Sequence, residues 1–547
     1  MDEILAVRER EWEAYLTWKS DHADHVHLIP LFHGDVLLPK HAVVLIFAFM
    51  GHTRNTLNSA IASQELYFAL LERWGKLRVT GANWQLIPTL VFRSAVGIEA
   101  IEPDSLARLC DSIKSNELLT GLTLCSVCNS HGDVEKITSA LMNCRNLTSI
   151  SINTRRYQDI CSAKVAAAAL QYCRKLERFC MSHYTDNADL AKQIAYSLPY
   201  RSTLTTIILC RNNITDSDVE KISASLQACP SLTFLSLDSN RIGSIGAGKL
   251  ADTLPRCHAL TTLDLCTNQI GPWGAMKIAN ALALCPTIAT LDLSNNSFGS
   301  IGASWIADAL KENNSLTTLD LSRNEIDYYG AEKIASALQV NRALSTLDLH
   351  NSHIGDAGVK EIAMALKVNH GLAALNLCNN LICLPGAEMI ASALETNTSL
   401  TELDLRFTCI DDAGAESIST ALMTNTTLKS LDLGGTGLGD IGAEKIAAML
   451  KVNHSLTMLD ISANGIEDAG MAKIAEALEV NDTLTTLHAE ATRIGRLGTE
   501  RVAASLRDNH ALTFVRMTSR GISREVRVTL RAPLGNKPRL DCVFSQY

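Results

Sequence analysis

Large apolar residues recur along this chain at a constant interval of 28 residues. The first apolar position of each unit steps in this way through Leu204, Leu232, Leu260, Ile288, Leu316, Leu344, Leu372, Leu400, Leu428, Leu456, Leu484 and Leu512. Towards the N-terminus the series continues at Leu176, at Leu147 after one extra residue, and at Leu119, which makes fifteen copies. A recurrence this regular indicates one repeat array rather than several unrelated domains.

Each unit predicts one short strand followed by one helix. In the unit that contains LTTLDLSRNEI at 316–326, Leu319 and Leu321 alternate with polar residues, which is the period of a strand with one buried face. Further along, AEKIASAL at 331–338 places apolar residues at helical spacing. The chain therefore alternates strand and helix fifteen times.

Stacking of the units supplies a core that no single strand and helix could form. We predict an α/β fold, a right-handed horseshoe solenoid of about 15 repeats of 28 residues, with parallel strands on the concave face and helices on the convex face. At about 4.8 Å between neighbouring strands, the inner sheet would be about 65 to 70 Å long, enough for a protein-sized partner.

Three further positions recur in the same register. An Asn such as Asn324 follows the strand, where its amide can satisfy backbone groups of the turn. A slot at the helix-to-strand turn holds Cys in early copies and Asn from Asn313 onward, and we interpret both as structural. A recurring Gly is preceded two residues earlier by residues that we predict to cap the N-terminus of their own helix: Ser244, Ser300, Asp356, Asp412, Asp440 and Asp468.

The repeat template identifies a resemblance to a known family. The pattern L-x-x-L-x-L-x-x-N-x-I is filled by Leu316, Leu319, Leu321, Asn324 and Ile326. It resembles a leucine-rich repeat, specifically the 28-residue ribonuclease-inhibitor type, and is similar to the repeat domains of NOD-like receptors, ribonuclease inhibitor and Ran GTPase-activating protein. The resemblance extends from Leu119 to Ile522.

The repeat divides the chain into three regions. Residues 1–85 have no repeat, and we expect an N-terminal cap region of unknown fold. The solenoid occupies 86–522, with clear repeats from 119, and 523–547 forms a basic C-terminal cap or tail. Repeat arrays need caps because their end units would otherwise expose the core.

Composition and charge limit the class of partner and the cellular compartment that we expect. Lys plus Arg is 49 and Asp plus Glu is 58, a net charge of −9 that argues against nucleic-acid binding. The N-terminal sequence lacks a secretory signal pattern, and the longest apolar run, at 42–50, is too short for a membrane span. We expect no membrane association, reduced cysteines, a monomer and a cytoplasmic location, and the sequence leaves a nuclear location open.

No sequence motif of catalysis, nucleotide binding or metal binding is present. The phosphate-binding G-x-x-x-x-G-K-[ST], G-x-S-x-G and H-E-x-x-H patterns do not occur. No regular helix or strand would place His22, His25, His27 and His33 on one side. We therefore predict no catalytic residue, no metal, no cofactor and no enzymatic activity.

A column of aspartates is the most regular feature that the repeat exposes. Alternation along the strands places one on the concave face of each of seven units: Asp264, Asp292, Asp320, Asp348, Asp404, Asp432 and Asp460, interrupted by Asn376. One interpretation is an acidic stripe that attracts a basic protein partner. The other is that Asp is common at this position of leucine-rich repeats generally, and the sequence does not decide between them.

Candidate interface anchors lie beside the stripe and in the connections. Aromatic and Arg side chains dominate many interfaces. We select Arg323, His350, Arg406 and Phe407 next to the stripe, and Trp273, Tyr328 and Tyr329 as aromatics of the loops between strand and helix.

Together these features favour a non-catalytic scaffold that binds a protein partner on its concave surface. The resemblance also allows a GTPase activator similar to Ran GTPase-activating protein, for which Arg155, Arg156 and Arg211 are possible arginine donors. A third alternative is a structural component of a cytoskeletal or ciliary assembly.

Overall fold

The computed structural model describes part of the chain. The described residues are 77–79, 95–99, 106, 110–111, 113–114, 119–125, 130–153, 161–182, 188–198, 203–518 and 541–545. The histidines at 22–33, Arg155, Arg156 and most of the predicted terminal regions lie outside them. Within the described residues, no helix combines the length and apolar character needed to cross a bilayer.

One parallel sheet runs through the described chain, and each strand pairs with the strands of the neighbouring units in sequence order. Strands β3 to β17 correspond to the fifteen predicted copies, so the predicted repeat is confirmed. The strands are β1 Leu77–Val79, β2 Ala95–Glu99, β3 Gly121–Cys125, β4 Ser149–Asn153, β5 Arg178–Ser182, β6 Thr206–Cys210, β7 Phe234–Ser236, β8 Thr262–Asp264, β9 Thr290–Asp292, β10 Thr318–Asp320, β11 Thr346–Asp348, β12 Ala374–Asn376, β13 Glu402–Asp404, β14 Ser430–Asp432, β15 Met458–Asp460, β16 Thr486–Ala489, β17 Phe514–Thr518 and β18 Asp541–Ser545.

A helix follows each strand from β3 to β16. The helices of the described residues are α1 His131–Leu141, α2 Cys161–Tyr172, α3 Ala188–Ser197, α4 Asp216–Leu226, α5 Ser244–Ala251, α6 Gly271–Leu282, α7 Gly299–Glu312, α8 Asp327–Leu338, α9 Gly355–Leu366, α10 Leu384–Leu394, α11 Asp411–Leu422, α12 Asp440–Leu450, α13 Asp468–Leu478 and α14 Arg496–Asp508. A short 3₁₀ helix at Leu254–Arg256 follows α5.

The core lies between the sheet and the helices and is continuous along the array. In β10, Leu319 is fully buried while Thr318 and Asp320 remain partly exposed, as the alternation predicts. Ile334 and Leu338 of α8 are buried on the facing side. The predicted α/β leucine-rich-repeat solenoid of horseshoe type is therefore confirmed.

The recurring Gly marks a close approach between helix and neighbouring unit. A Cβ atom added to Gly414 would lie 2.6 Å from Cγ2 of Ile410 and 2.9 Å from the Cβ of Ala387 in the preceding repeat. Both distances are shorter than van der Waals contact allows, so a larger residue would push the two helices apart.

The Asn after each strand links consecutive turns, as predicted. The Asn324 side chain donates to the carbonyls of Leu321 and Ser322 in its own repeat and of Leu293 in the preceding one, at 2.8 to 3.0 Å. Its carbonyl accepts the N–H of Asn296 at 2.7 Å. Because all these groups are buried, the amide satisfies backbone atoms that would otherwise lack partners.

The prediction that these Asp and Ser side chains cap the N-terminus of their own helix is wrong. Asp356, Asp412, Asp440 and Asp468 lie in the first turn of their own helices, which have no side-chain cap. Each carboxylate instead accepts two backbone N–H groups at the start of the next helix, 27 and 30 residues further along, at 2.7 to 3.1 Å. These bonds join one repeat to the next. Ser300 likewise donates to the carbonyl of Ile326 in the next repeat.

Candidate interaction surface

The aspartate column forms because parallel pairing keeps the same strand position in register. Asp264, Asp292, Asp320 and Asp348 are direct neighbours on β8 to β11, and Asp404, Asp432 and Asp460 on β13 to β15. Asn376 on β12 separates the two groups. The column continues at its C-terminal end with His488 and Arg516, so its charge changes sign there.

One oxygen of each member has a structural task. Oδ1 accepts the backbone N–H two residues further along, at 2.7 to 3.0 Å, where the chain leaves the strand. The pairs are Asp264 with Cys266, Asp292 with Ser294, Asp320 with Ser322, Asp348 with His350, Asn376 with Cys378, Asp404 with Arg406, Asp432 with Gly434 and Asp460 with Ser462. Asn376 makes this bond as well as any Asp, so the turn requires the oxygen and not the charge.

The hydrogen-bond partner of the second carboxylate oxygen differs from repeat to repeat. Oδ2 of Asp264 accepts from the hydroxyl of Ser236, and Oδ2 of Asp348 from the amide of Asn376, both at 2.7 Å. Among the described residues, no basic side chain forms an ion pair with Asp264, Asp292 or Asp320. This part of the column therefore carries uncompensated carboxylates.

Burial and mutual repulsion make the column hard to ionise fully. Burial and the neighbouring Asp348 raise the pKa of Asp320 to about 6. Burial and Asp460 raise the pKa of Asp432 to about 7, and burial also raises the pKa of Asp264. The charge of the column therefore changes in the pH range near neutrality.

Arg323 and His350 join the column through a chain of hydrogen bonds. Nε of Arg323 donates to Nε2 of His350 at 2.9 Å, and Nδ1 of His350 lies 3.0 Å from Oδ1 of Asp348. The bond to Asp348 raises the pKa of His350. These two predicted residues are thus brought together at the column, with the guanidinium at its outer end.

Arg406 neutralises two members of the C-terminal group of the column, Asp404 and Asp432. Its guanidinium lies 2.6 Å from Oδ2 of Asp404 and 3.1 Å from Oδ2 of Asp432. The pKa of Asp432 is raised despite this ion pair, because burial and Asp460 outweigh the arginine. The structure thus places Arg406 as an internal counter-ion.

Phe407 follows Arg406 and remains 57% exposed. It adopts a left-handed backbone with φ of 52°, and its ring lies against Gly435 of the next repeat. Any Cβ at Gly435 would lie 2.6 Å from the ring, so the exposed aromatic depends on this glycine.

The three predicted loop aromatics do not lie in loops. Trp273 is in the first turn of α6, and Tyr328 and Tyr329 are in the first turn of α8. α6 begins at Gly271 and α8 at Asp327, so both helices start before these aromatic residues. Trp273 and Tyr329 occupy the same helix position in their units and are separated from the acidic column by the strand-to-helix connection.

Sequence reasoning missed other exposed apolar residues. Ile245 and Ile301 occupy the position of Trp273 and Tyr329 in α5 and α7, and Trp305 lies one turn after Ile301. The signal was available, since Ile245, Trp273, Ile301 and Tyr329 are 28 residues apart. His488 and Arg516 could also have been found by continuing the column in register.

Of the arginines considered for GTPase activation, Arg155 and Arg156 lie outside the described residues. Arg211 is exposed in the turn after β6, with a φ of 59°. In the described part of the chain, no group of three or more His, Cys, Asp and Glu side chains is arranged to hold a metal ion.

Comparisons with known proteins identify the repeats. A family model named Leucine Rich repeat matches residues 228–251, 256–279, 312–335 and 340–363. A second model, TMOD/LMOD Leucine-rich domain, matches residues 407–530. Among curated protein sequences, none matches the chain.

Two solved structures are similar to this chain. The crystal structure of an internalin from Listeria monocytogenes is 19% identical, and the match covers 66% of this chain and 96% of that chain with a TM-score of 0.38. The leiomodin-1 actin-binding site 2 is 30% identical, and the match covers 23% of this chain and 73% of that chain with a TM-score of 0.22.

Proposed function

From the premise that this chain is a leucine-rich repeat protein, we propose that it is a non-catalytic scaffold that binds a protein partner on its concave surface. Leucine-rich repeat domains generally mediate protein–protein interaction. The observation that carries the proposal is the uncompensated part of the acidic column, at Asp264, Asp292 and Asp320. The ribonuclease-inhibitor type of repeat stays a prediction.

The charge pattern of the concave surface favours a basic partner on β8 to β10, whereas Asp348 on β11 already contacts His350. Carboxylates with no basic neighbour attract such a partner from a distance and gain ion pairs when it binds. On β13 and β14 the same attraction is reduced, because Arg406 already occupies Asp404 and Asp432. Arg323, His350 and the exposed ring of Phe407 border the docking area and supply anchors of the types that dominate interfaces.

Asparagine replacement separates the charge of the column from its structural task. Asn376 shows that an amide oxygen at this position still accepts the turn N–H. We therefore change Asp264, Asp292, Asp320 and Asp348 together to Asn. The control removes four charges from exposed positions in helices or directly after them by changing Glu388, Glu395, Glu444 and Glu479 to Gln.

The experiment is affinity capture from native lysate with wild-type, column and control chains at low and moderate salt. We expect one partner to be lost from the column variant alone, and to be captured less by the wild type as salt rises. The proposal fails if all three folded chains capture the same proteins.

A cytoskeletal partner is a second candidate. The match of residues 407–530 to the TMOD/LMOD Leucine-rich domain favours it. Filamentous actin is the probe to use, because the leiomodin-1 fragment is described as an actin-binding site. Sedimentation of the chain with actin filaments would support this candidate, and its absence at saturating filament concentration would exclude actin.

A further inference from the structure

Four consecutive helices present a large apolar side chain to solvent at the same position of their first turn. Ile245, Trp273, Ile301 and Tyr329 are 68%, 69%, 63% and 42% exposed. We name these four residues the helix-start ridge. Single exposed apolar residues are ordinary, but a contiguous row of large ones marks interaction surfaces.

The same position is small in the next repeats. Ala357, Pro385 and Ala413 stand there in α9 to α11, and all three are exposed. Ile441 and Leu497 return to a large side chain in α12 and α14, but Ala469 separates them. The ridge is therefore a property of α5 to α8 and not of the repeat itself.

Two helix N-termini in the middle of the ridge have no carboxylate bonded to them among the described residues. The first turns of α5, α6 and α7 contain no acidic residue, whereas those of α9 and α11 to α13 contain aspartates. In α8, Asp327 accepts the backbone N–H of Tyr329. Helix N-termini carry partial positive charge. Asp216 of the preceding repeat accepts the N–H of Gly243 at the start of α5, so of these three helices α6 and α7 leave that charge without a bonded carboxylate in the described part of the chain.

Lysines flank the ridge one helical turn further along. Lys249, Lys277 and Lys333 stand four residues after Ile245, Trp273 and Tyr329, and Trp305 fills this place after Ile301. Lys249 pairs with Glu220, and Lys333 pairs with Glu332 and lies 4.8 Å above the Tyr329 ring. Lys277 has no carboxylate in ion-pair contact within the described residues.

We propose that the helix-start ridge binds an amphipathic α-helix of a partner protein, with carboxylates flanking the apolar face of that helix. Adjacent packed helices lie about 8 to 10 Å apart, close to the rise of about 10.5 Å over seven residues of a helix. A partner helix that lies along the ridge can place one apolar side chain between each pair of neighbouring ridge residues, three side chains in all. About 18 to 20 residues of such a helix span the row. Its carboxylates meet Lys277 and the N-termini of α6 and α7.

Two synthetic 21-residue amphipathic helices test this surface. Both carry leucines at heptad spacing, and they differ in having Glu or Lys beside the leucines. Binding to the full chain is measured by fluorescence anisotropy. Ridge variant Trp273→Ser/Ile301→Ser is compared with control Ile441→Ser/Leu497→Ser, which removes equally exposed apolar residues at the same helix position.

We expect the Glu-flanked peptide to bind saturably, at least tenfold more tightly than the Lys-flanked one, and the ridge variant alone to weaken it at least tenfold. Absence of saturable binding, equal binding of the two peptides, or equal loss in the control overturns the proposal. Concentration-dependent dimerisation that only the ridge variant abolishes would assign the surface to a second copy of this chain instead. The concave Asn variant should keep the peptide, so this test is independent of the proposed function.

Discussion

Two kinds of helix-to-strand turn divide this solenoid. In early repeats the turn is closed by Cys, and from Asn313 onward by Asn. Cys229 donates one weak sulfur hydrogen bond, 3.8 Å long, to the carbonyl of Leu198. Asn397 donates to the carbonyls of Leu366 and Asn369 and accepts the N–H groups of Ser399 and Leu400, at 2.7 to 3.2 Å.

The difference shows that equal burial does not give equally strong coupling between repeats. Both residue types are buried, so both exclude water from the turn. The Asn joins its repeat to the preceding one more firmly, because its amide donates to carbonyls 28 and 31 residues back, whereas the Cys229 thiol makes one weak bond to a carbonyl 31 residues back. We infer that repeats with the Asn turn resist local opening more than repeats with the Cys turn.

Replacement of one turn Asn is expected to change the stability most and therefore tests the comparison most directly. Asn397→Ala leaves several buried backbone groups without partners, and we expect a loss of about 3 kcal/mol, since each orphaned group costs about 1 to 3 kcal/mol. Cys229→Ala loses mainly packing, and we expect about 1 kcal/mol. Urea unfolding followed by circular dichroism measures both, and equal losses would contradict the inferred coupling.

Amide exchange examines the two regions without mutation. If coupling protects the Asn repeats, backbone amides of β11 to β15 should exchange about tenfold more slowly than those of β6 to β8, a difference of about 1.4 kcal/mol. Hydrogen–deuterium exchange with mass spectrometry resolves peptides of each region. Uniform protection would show that the array opens as one unit.

Protonation of Asp432 in the concave column stabilises the Asn region. The pKa of Asp432 is raised to about 7, so its stability contribution is fully present below about pH 4 and is lost as pH rises through 7. Asp432→Asn keeps the bond to Gly434 and removes the costly charge. We expect it to stabilise the chain by about 1 kcal/mol at pH 8 and to have no effect near pH 4.

Thermal unfolding at both pH values measures this effect. The control is Glu444→Gln, which removes an exposed helix charge of the same repeat. A stabilisation that is equal at pH 8 and pH 4 would mean that the buried charge is not its cause.

The smallest expected effect comes from converting one turn into the other. Cys285→Asn places an amide near the carbonyls of Leu254 and Cys257, the equivalents of those that Asn397 reaches. We expect a gain of up to about 1 kcal/mol, reduced because the 3₁₀ helix at Leu254–Arg256 alters this turn. A clear destabilisation in urea would show that the early repeats are shaped for Cys.

The sequence predicted the fold well because its signals are local. The alternation around Leu319 and the helical spacing around Ile334 lie within one unit, and both residues are buried as expected. The Asn after the strand was also interpreted correctly, since its turn lies beside it. The register of the acidic column followed from the constant repeat length alone.

Features that depend on stacking were predicted less well. Asp412 was assigned to its own helix because capping rules consider neighbours three residues away, but its donors are 27 and 30 residues further along. The pairing of Arg406 with two carboxylates and the ridge around Trp273 also arise between repeats. Only the distance between stacked units shows which side chains meet.

The carboxylates that cap the following helix give the array a direction. Asp412, Asp440 and Asp468 are synthesised before the backbone amides that donate hydrogen bonds to them. Each new repeat that leaves the ribosome therefore finds the cap of its helix already in place. Shortening the gene from its two ends is therefore unequal. A truncation on the C-terminal side of such a repeat leaves its carboxylate in solvent, which costs little. A truncation on its N-terminal side removes the carboxylate of the preceding repeat and leaves the N–H groups at the first retained helix start without partners. Engineered fragments of this protein should be shortened from the C-terminal side.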